Sequence, residues 1–335
     1  MKKAVFMLQD KNWEFINKIY NRDSLDRIKE YASVYPELIS RESLQIHREV
    51  LKDTEIVFST WGMTDLSEEE IQRYLPKLKA VFYGAGTVQG FARPFLNQNI
   101  TVVSAWAANA VPVAEYTLAQ ILLANKGFFQ NVHITKNSYE AARDYTDAFA
   151  GNYSVKVGIL GAGMIGTKVI ELLKPFNVEV LVYDPFLPED RAETLGVRKC
   201  TMAEIFSECQ TISNHIANLP TTQGIINCEL FDKMLPNATF INTGRGAQLV
   251  ERDLIKALKE MPARTAVLDV TDPEPPVAGS ELFDMKNVIL TSHIAGSMGR
   301  EVERLGCYMA DEFIRYVNGK ELKYGVALKM LETMA

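Results

Sequence analysis

Short runs in which nearly every position is apolar alternate along this chain with longer segments whose apolar residues recur every three or four positions. In the first hundred residues the runs are KAVFML, EIVFST, KAVFYG and ITVVSA, with a helix predicted from about Asn12 to Glu30 and a polar helix near Ser67 to Tyr74. Runs of this kind with helical periods between them predict parallel strands covered by helices on both faces. From Pro112 the period changes, and PVAEYTLAQILLANKGFF reads as a long, largely buried helix with proline near its start. A domain boundary is expected near residue 108. After a looser helical stretch, six further strands are predicted at 155–160, 178–183, 211–215, 238–243, 265–270 and 287–291. That rhythm describes a doubly wound sheet. One more helix is predicted from roughly Met298 to Asn318, and periodicity leaves open which domain it joins. The expected class is therefore α/β, with two Rossmann-like doubly wound domains and a cleft between them.

Composition narrows the classes of function. The chain has 335 residues, 47% hydrophobic and 23% charged, enough apolar side chains for two cores. Net charge is −6 with basic residues scattered, so no stripe exists to neutralise a phosphate backbone, and nucleic acid is not an expected partner. Cys200, Cys209, Cys228 and Cys307 lie far apart with no C-x-x-C pair, which predicts reduced core thiols and no structural metal site. The opening MKKAVFMLQD reads as a first strand, and no stretch reaches the roughly 18 to 20 apolar residues that cross a bilayer. No membrane partner is expected, and the expected location is cytoplasmic.

Chemistry concentrates at predicted strand ends. VKVGILGAGMIGTKV places Gly161, Gly163 and Gly166 at G-x-G-x-x-G spacing, after a strand and at the head of a helix that begins with Met164 and Ile165. In that context the first glycine permits a tight turn, the second lets a pyrophosphate approach the backbone, and the third lets helix pack on strand. The helix start then offers unpaired N–H groups and positive dipole to the phosphates. The next strand ends in Asp184, where the fingerprint expects an acid about 20 residues on to bind the adenosine ribose. A carboxylate there repels the extra phosphate of NADP, so NAD is the expected cofactor, with Arg191 as the one nearby cation that complicates the choice.

Three later strands end in reactive side chains. INTGRG carries Arg245 between two glycines, read as keeping the backbone free of bulk near a ligand; TAVLDVTDPEP leads to Glu274; and NVILTSHIAG ends at His293. His215 also follows a strand and is expected to line the cofactor site, with catalysis as its lesser alternative, whereas His47 and His133 are read as structural. Cation, acid and imidazole beside a nicotinamide are the parts a 2-oxo acid reductase needs. Arg245 would bind a carboxylate in a bidentate pair. His293 would give its proton to the carbonyl oxygen as hydride arrives at carbon, and Glu274 would hold the imidazole and favour its charged form.

At these residues the sequence resembles the D-isomer-specific 2-hydroxyacid dehydrogenase family over nearly the whole chain: LGAGMIGTKV with Asp184, INTGRGAQLVERDLIKAL, LDVTDPEP, LTSHIAG and ANAVPVAEYTLAQILL all match in order and spacing. The resemblance implies a flavodoxin-like substrate-binding domain from residues 1–108 plus 300–335, an NAD-binding Rossmann domain from 109–299, and a homodimer. It implies that Thr243 and Asp269 join Gly161, Gly163, Met164, Ile165, Gly166, Asp184 and His215 around NAD. It maps the substrate loop onto VFYGAGTVQG, where the amides of Ala85, Gly86 and Thr87 would form an anion nest alongside Arg245 and His293. Two departures stand out: Thr87, Val88 and Gln89 replace the acids that commonly follow those glycines, and Thr271 stands where an aromatic residue is common. Trp61 and Trp106 are read as core or pocket residues. The expected activity is interconversion of a small 2-oxo acid and its D-2-hydroxy acid. The competing expectations are a formate- or phosphite-type dehydrogenase and an NAD-sensing, corepressor-like binding protein on the same scaffold.

Overall fold

The computed structural model describes residues 1–9 and 12–333. Five strands come first: β1 (Lys2–Met7), β2 (Ala32–Ile39), β3 (Ile56–Ser59), β4 (Ala80–Tyr83) and β5 (Thr101–Ser104). Seven follow: β6 (Tyr153–Leu160), β7 (Asn177–Tyr183), β8 (Arg198–Lys199), β9 (Thr211–Asn214), β10 (Thr239–Asn242), β11 (Thr265–Leu268) and β12 (Val288–Leu290). A two-residue β13 (Gly325–Val326) closes the series. The chain divides into two compact units, Met1–Asn109 with Ser297–Ala335, and Ala110–Gly296.

In the first unit the strand order is β13-β5-β4-β3-β1-β2, parallel except for β13, which runs antiparallel to β5. Without β13 this is the flavodoxin-like order. Strands β1, β3 and β4 contribute Phe6, Phe58 and Phe82, stacked 5.4 and 5.5 Å apart. Phe313, from the helix Val302–Val317, meets Phe58 and Phe82 edge-on at 5.2 and 5.4 Å. This aromatic packing fixes the late helix on the sheet of the first unit, which its own period left undecided.

Several local features differ from the pattern reading. The predicted helix from Asn12 is two helices, Trp13–Ile19 and Arg22–Lys29, because the Asn21 side chain caps the second by accepting from the Ser24 N–H at 3.0 Å. Strand β2, which the pattern reading did not mark, lies at the sheet edge, and its Pro36 falls where the register with β1 shifts, between the pairs Ala4–Val34 and Phe6–Leu38. The long helix begins at Trp106, so Pro112 lies inside it rather than near its start. No helix among the described residues is long and apolar enough to cross a membrane.

The second unit is a seven-stranded parallel sheet in the order β12-β11-β10-β9-β6-β7-β8, with β8 too short to be read from sequence. Its strand order reverses between β6 and β9, which pair directly with Leu160 opposite Asn214. Ligands in such sheets bind beyond the carboxyl ends of the strands at this reversal. The loops carrying Gly161, His215, Arg245, Asp269 and His293 all leave that end.

Candidate active site

The glycine turn has the form that a dinucleotide requires. Gly161 has φ +90°, and a Cβ there would lie 2.7 Å from the carbonyl oxygen of His215. A Cβ on Gly166 would stand 1.9 Å from the Gly161 oxygen, so the helix Met164–Leu173 approaches the turn only because that position is glycine. Gly163, by contrast, faces open space. Among the described residues no protein acceptor pairs with the N–H groups of Gly163, Met164 and Ile165 at the head of this helix. Asp184 directly follows β7 and is itself anchored: one carboxylate oxygen accepts from the Ala162 N–H and the other from the Phe186 N–H, both at 2.8 Å. Each oxygen keeps lone-pair capacity for a ribose hydroxyl. A tight turn, free N–H groups and an anchored acid fit an NAD molecule. Arg191 donates to the Thr167 hydroxyl at 3.4 Å, which places the nearby cation on the first turn of the same helix.

His215, at the strand reversal, lies between two hydroxyls: Ser213 Oγ is 2.9 Å from Nε2 and Thr243 Oγ1 is 3.4 Å from Nδ1. Burial pushes its imidazole down to about 3, so the ring is neutral at physiological pH.

The arginine turn is built differently from the sequence reading. A Cβ on Gly246 would sit 1.9 Å from the Thr271 carbonyl carbon, and one on Gly244 would sit 2.7 Å from Gln248 Oε1. The flanking glycines therefore let the turn pack against its own protein neighbours, Thr271 and Gln248. Arg245 is partly buried, its Nη1 donates to the Gly244 carbonyl at 2.7 Å, and among the described residues no carboxylate lies within ion-pair distance of it. Burial lowers the proton affinity of the guanidinium, and the charge of Glu274 acts on it in the opposite direction. Glu274 in turn pairs with His293, Oε1 to Nδ1, at 2.7 Å. Arginine, glutamate and histidine thus form one electrostatic group. A cavity of about 680 Å³ opens beside the pair, with Asp269, Thr271, Glu274 and His293 on its polar wall and Leu282 and Phe283 among its apolar residues.

His293 adopts φ +60°, the left-handed region, where a non-glycine residue costs on the order of 1–3 kcal/mol unless its surroundings hold it. Asp269 does the holding. Its main-chain oxygen accepts from the His293 N–H at 3.0 Å, Oδ1 accepts from Thr291 Oγ1 at 2.7 Å and Ile294 N–H at 2.8 Å, and Oδ2 accepts from Ala295 N–H at 2.9 Å. Tyr116, on the long helix, reaches Thr291 at 3.3 Å. Sequence reasoning gave Asp269 to the cofactor and missed this duty, because its four partners come from a loop more than twenty residues away in sequence.

In the first unit, Ala85 and Gly86 turn their carbonyls onto the Ser104 hydroxyl at 2.8 and 2.6 Å. The N–H groups of Ala85, Gly86 and Thr87 have no protein acceptor among the described residues. Trp61 and Trp106 pack against the cores of this unit.

With this geometry in view, comparison with known proteins decides the family. Residues 119–295, more than half of the chain, match the model of the D-isomer specific 2-hydroxyacid dehydrogenase, NAD binding domain. The chain belongs to the D-isomer specific 2-hydroxyacid dehydrogenase family. The matched residues lie within the second unit, and they bind NAD. Among curated relatives, D-3-phosphoglycerate dehydrogenase of Archaeoglobus fulgidus is 26% identical over 320 residues, 88% of this chain and 59% of that protein. The enzyme of the same name from Synechocystis is 34% identical over 203 residues, 60% of this chain and 36% of that protein. The chain thus spans about half the length of the curated relatives it matches. Two solved structures share the fold: a phosphoglycerate oxidoreductase from Rhizobium etli, TM-score 0.79 at 20% identity covering 97% of each chain, and apo D-mandelate dehydrogenase of Rhodotorula graminis, TM-score 0.78 at 19% identity covering 98% of each.

Proposed function

We propose that this family member is an NAD-dependent oxidoreductase that interconverts a small 2-oxo acid and its D-2-hydroxy acid. The observation that carries the reading is the His293–Glu274 pair at 2.7 Å, within electrostatic reach of an arginine that has no ion-pair partner among the described residues. Bound NADH supplies the hydride that goes to the carbonyl carbon. Arg245 binds the substrate carboxylate, and the amides of Ala85, Gly86 and Thr87 offer a further anion nest. A carboxylate can only accept a hydrogen bond, so the Glu274 pairing keeps the imidazole proton on Nδ1 and leaves Nε2 to carry the transferred proton. In reduction, Nε2–H protonates the carbonyl oxygen as the C–H bond forms; in oxidation, Nε2 takes the hydroxyl proton back. Gly161, Gly163, Met164, Ile165 and Gly166 carry the pyrophosphate, Asp184 the adenosine ribose, and His215 with Thr243 lines the pocket as a neutral wall. Asp269 contributes by fixing the His293 loop. The protein works as a cytoplasmic homodimer: the four cysteines are free, as in a reducing compartment, and Leu123, Phe128, Val132 and Tyr139 leave apolar surface exposed on the long helix and the two after it.

The deciding experiment follows NADH consumption with glyoxylate, hydroxypyruvate and pyruvate, and NAD reduction with D-3-phosphoglycerate, the compound in the relatives' names. Turnover on at least one of them is expected. Silence across the panel with NADH binding intact would overturn the reading in favour of an NAD-sensing binding protein.

Cofactor choice has its own test. Replacing Asp184 by alanine removes a charged acceptor from the ribose, worth about 1.5–3 kcal/mol, and frees two main-chain N–H groups that stabilise the turn. The ratio of kcat/KM with NADP to that with NAD is expected to rise roughly tenfold or more, chiefly through loss of NAD use. An unchanged ratio would transfer the role of cofactor reader to Arg191.

A further inference from the structure

Three fully buried amide side chains stand behind the arginine turn: Asn214 at the end of β9, Asn242 at the end of β10, and Gln248 beyond the turn. Asn214 Nδ2 donates to Asn242 Oδ1 at 3.0 Å and to Gln248 Oε1 at 2.5 Å. Gln248 Oε1 also accepts from the Arg245 N–H at 3.1 Å, and Asn242 Nδ2 donates to the Arg245 carbonyl at 3.0 Å, so both main-chain groups of Arg245 are held by side chains. The same cluster holds both main-chain groups of Ile216: Asn214 Oδ1 accepts its N–H at 3.2 Å, and Gln248 Nε2 donates to its carbonyl. The His215–Ile216 peptide is the one against which Gly161 packs.

Three side chains thus tie the arginine to the turn beside the dinucleotide fingerprint. Burying three amides without partners would cost about 1–3 kcal/mol per unpaired group, whereas a cluster satisfied on every side stiffens what it holds. Among the described residues Arg245 has no ion pair to set its direction, and its Nη1 donates to the Gly244 carbonyl of its own turn, so its aim depends on the backbone that carries it. Because β10 has ended at Asn242, no ladder pairs the main chain of Arg245, and these side chains do so in its place.

We propose that Gln248, acting with Asn214 and Asn242, is a positioning residue that aims the Arg245 guanidinium at the substrate carboxylate. The proposal rests on the 2-oxo acid reading above. Gln248→Met keeps the length and volume of the side chain but removes both its donor and its acceptor.

The test has two arms, both on the full-length protein. In the first, KM for the best 2-oxo acid of the panel is expected to rise roughly tenfold to hundredfold, the scale of a misplacement near 1 Å, with the Kd for NADH rising by a much smaller factor even though Gln248 also holds the Ile216 carbonyl. In an Arg245→Ala background the same substitution should have no further effect on kcat/KM, since nothing is left to aim. Equal loss of NADH affinity, or the same fold-loss in both backgrounds, would reduce Gln248 to a purely structural part and overturn the proposal. The second arm does not depend on turnover. Phenylglyoxal modification of Arg245, followed by peptide mass mapping of the NADH-bound protein, should speed up several-fold in Gln248→Met, and an unchanged rate would overturn the proposal even if the parent proves inactive on every acid tried. Should Gln248→Met fail to fold, Asn242→Ser, which releases the Arg245 carbonyl from the strand side, is read in the same two arms with the same expected and overturning results.

Discussion

Replacing His293 by glutamine is expected to lower kcat for 2-oxo acid reduction by about 10²- to 10⁴-fold, the usual worth of a positioned proton donor. The Kd for NADH should stay within twofold, because the dinucleotide turn and Asp184 lie on other strands. Glutamine is chosen because it still accepts and donates hydrogen bonds near Glu274 and preserves volume, yet has no nitrogen that cycles between protonated and neutral forms near neutral pH. Replacement of Glu274 by glutamine serves as the companion: an amide partner can donate as well as accept, so the tautomer of His293 is no longer fixed and kcat falls by less than in the histidine variant. Because His293 sits at φ +60° and is held by Asp269, the thermal midpoint of each variant should be measured alongside its kinetics. A variant that unfolds near its parent's temperature and keeps full turnover would remove the imidazole from the chemistry.

What the sequence disclosed and what it hid divide along a physical line. The features it disclosed are written in consecutive residues. Apolar runs marked the central strands, since a strand buried on both faces has no polar position to obscure it. The glycine fingerprint was legible because the positive φ of Gly161 and the close approach of Gly166 to the Gly161 carbonyl both lie inside one strand–turn–helix unit. Arg245, Glu274 and His293 stood out because each follows an apolar run, and strand ends in such sheets converge.

The hidden features depend on partners distant in sequence. Strand β2 went unmarked because it carries Pro36, which an edge position and a register shift against β1 accommodate, and both are decided by how the whole sheet assembles. The break between the first two helices turned on Asn21, whose capping bond was written in the sequence but overshadowed by a continuous helical period. Asp269 satisfies groups on a distant loop, and the three amides are joined by bonds that cross between loops, from Asn214 to Asn242 and Gln248 and from Gln248 to the Ile216 carbonyl, so their duties cannot be read from spacing. One signal was nonetheless available: β9 and β10 are neighbours, and both apolar runs end in asparagine, Asn214 and Asn242. Paired polar ends on two buried strands point to a shared hydrogen-bond network, since neither amide could be buried alone. The glycines around Arg245 carry the same lesson in reverse. They were read as making room for a ligand, and the space they leave is filled by Thr271 and Gln248.

The Arg245→Lys variant is expected to lose about 10- to 150-fold in kcat/KM for the 2-oxo acid, the equivalent of one charge-assisted hydrogen bond of about 1.5–3 kcal/mol. Lysine keeps the charge, so simple attraction for a carboxylate survives. What disappears is the planar fork that engages both carboxylate oxygens at once. The ammonium is also the more strongly hydrated cation, and it would sit where burial already weighs against the charged guanidinium. A loss through charge geometry can be separated from a loss through packing by changing the substrate. Pyruvamide presents a neutral amide where pyruvate presents a carboxylate, so the ratio of parent to variant kcat/KM should shrink towards unity with the amide. A ratio equally large for both compounds would show that Arg245 supports the fold of its turn, and a ratio near unity for both would mean that the carboxylate is held elsewhere.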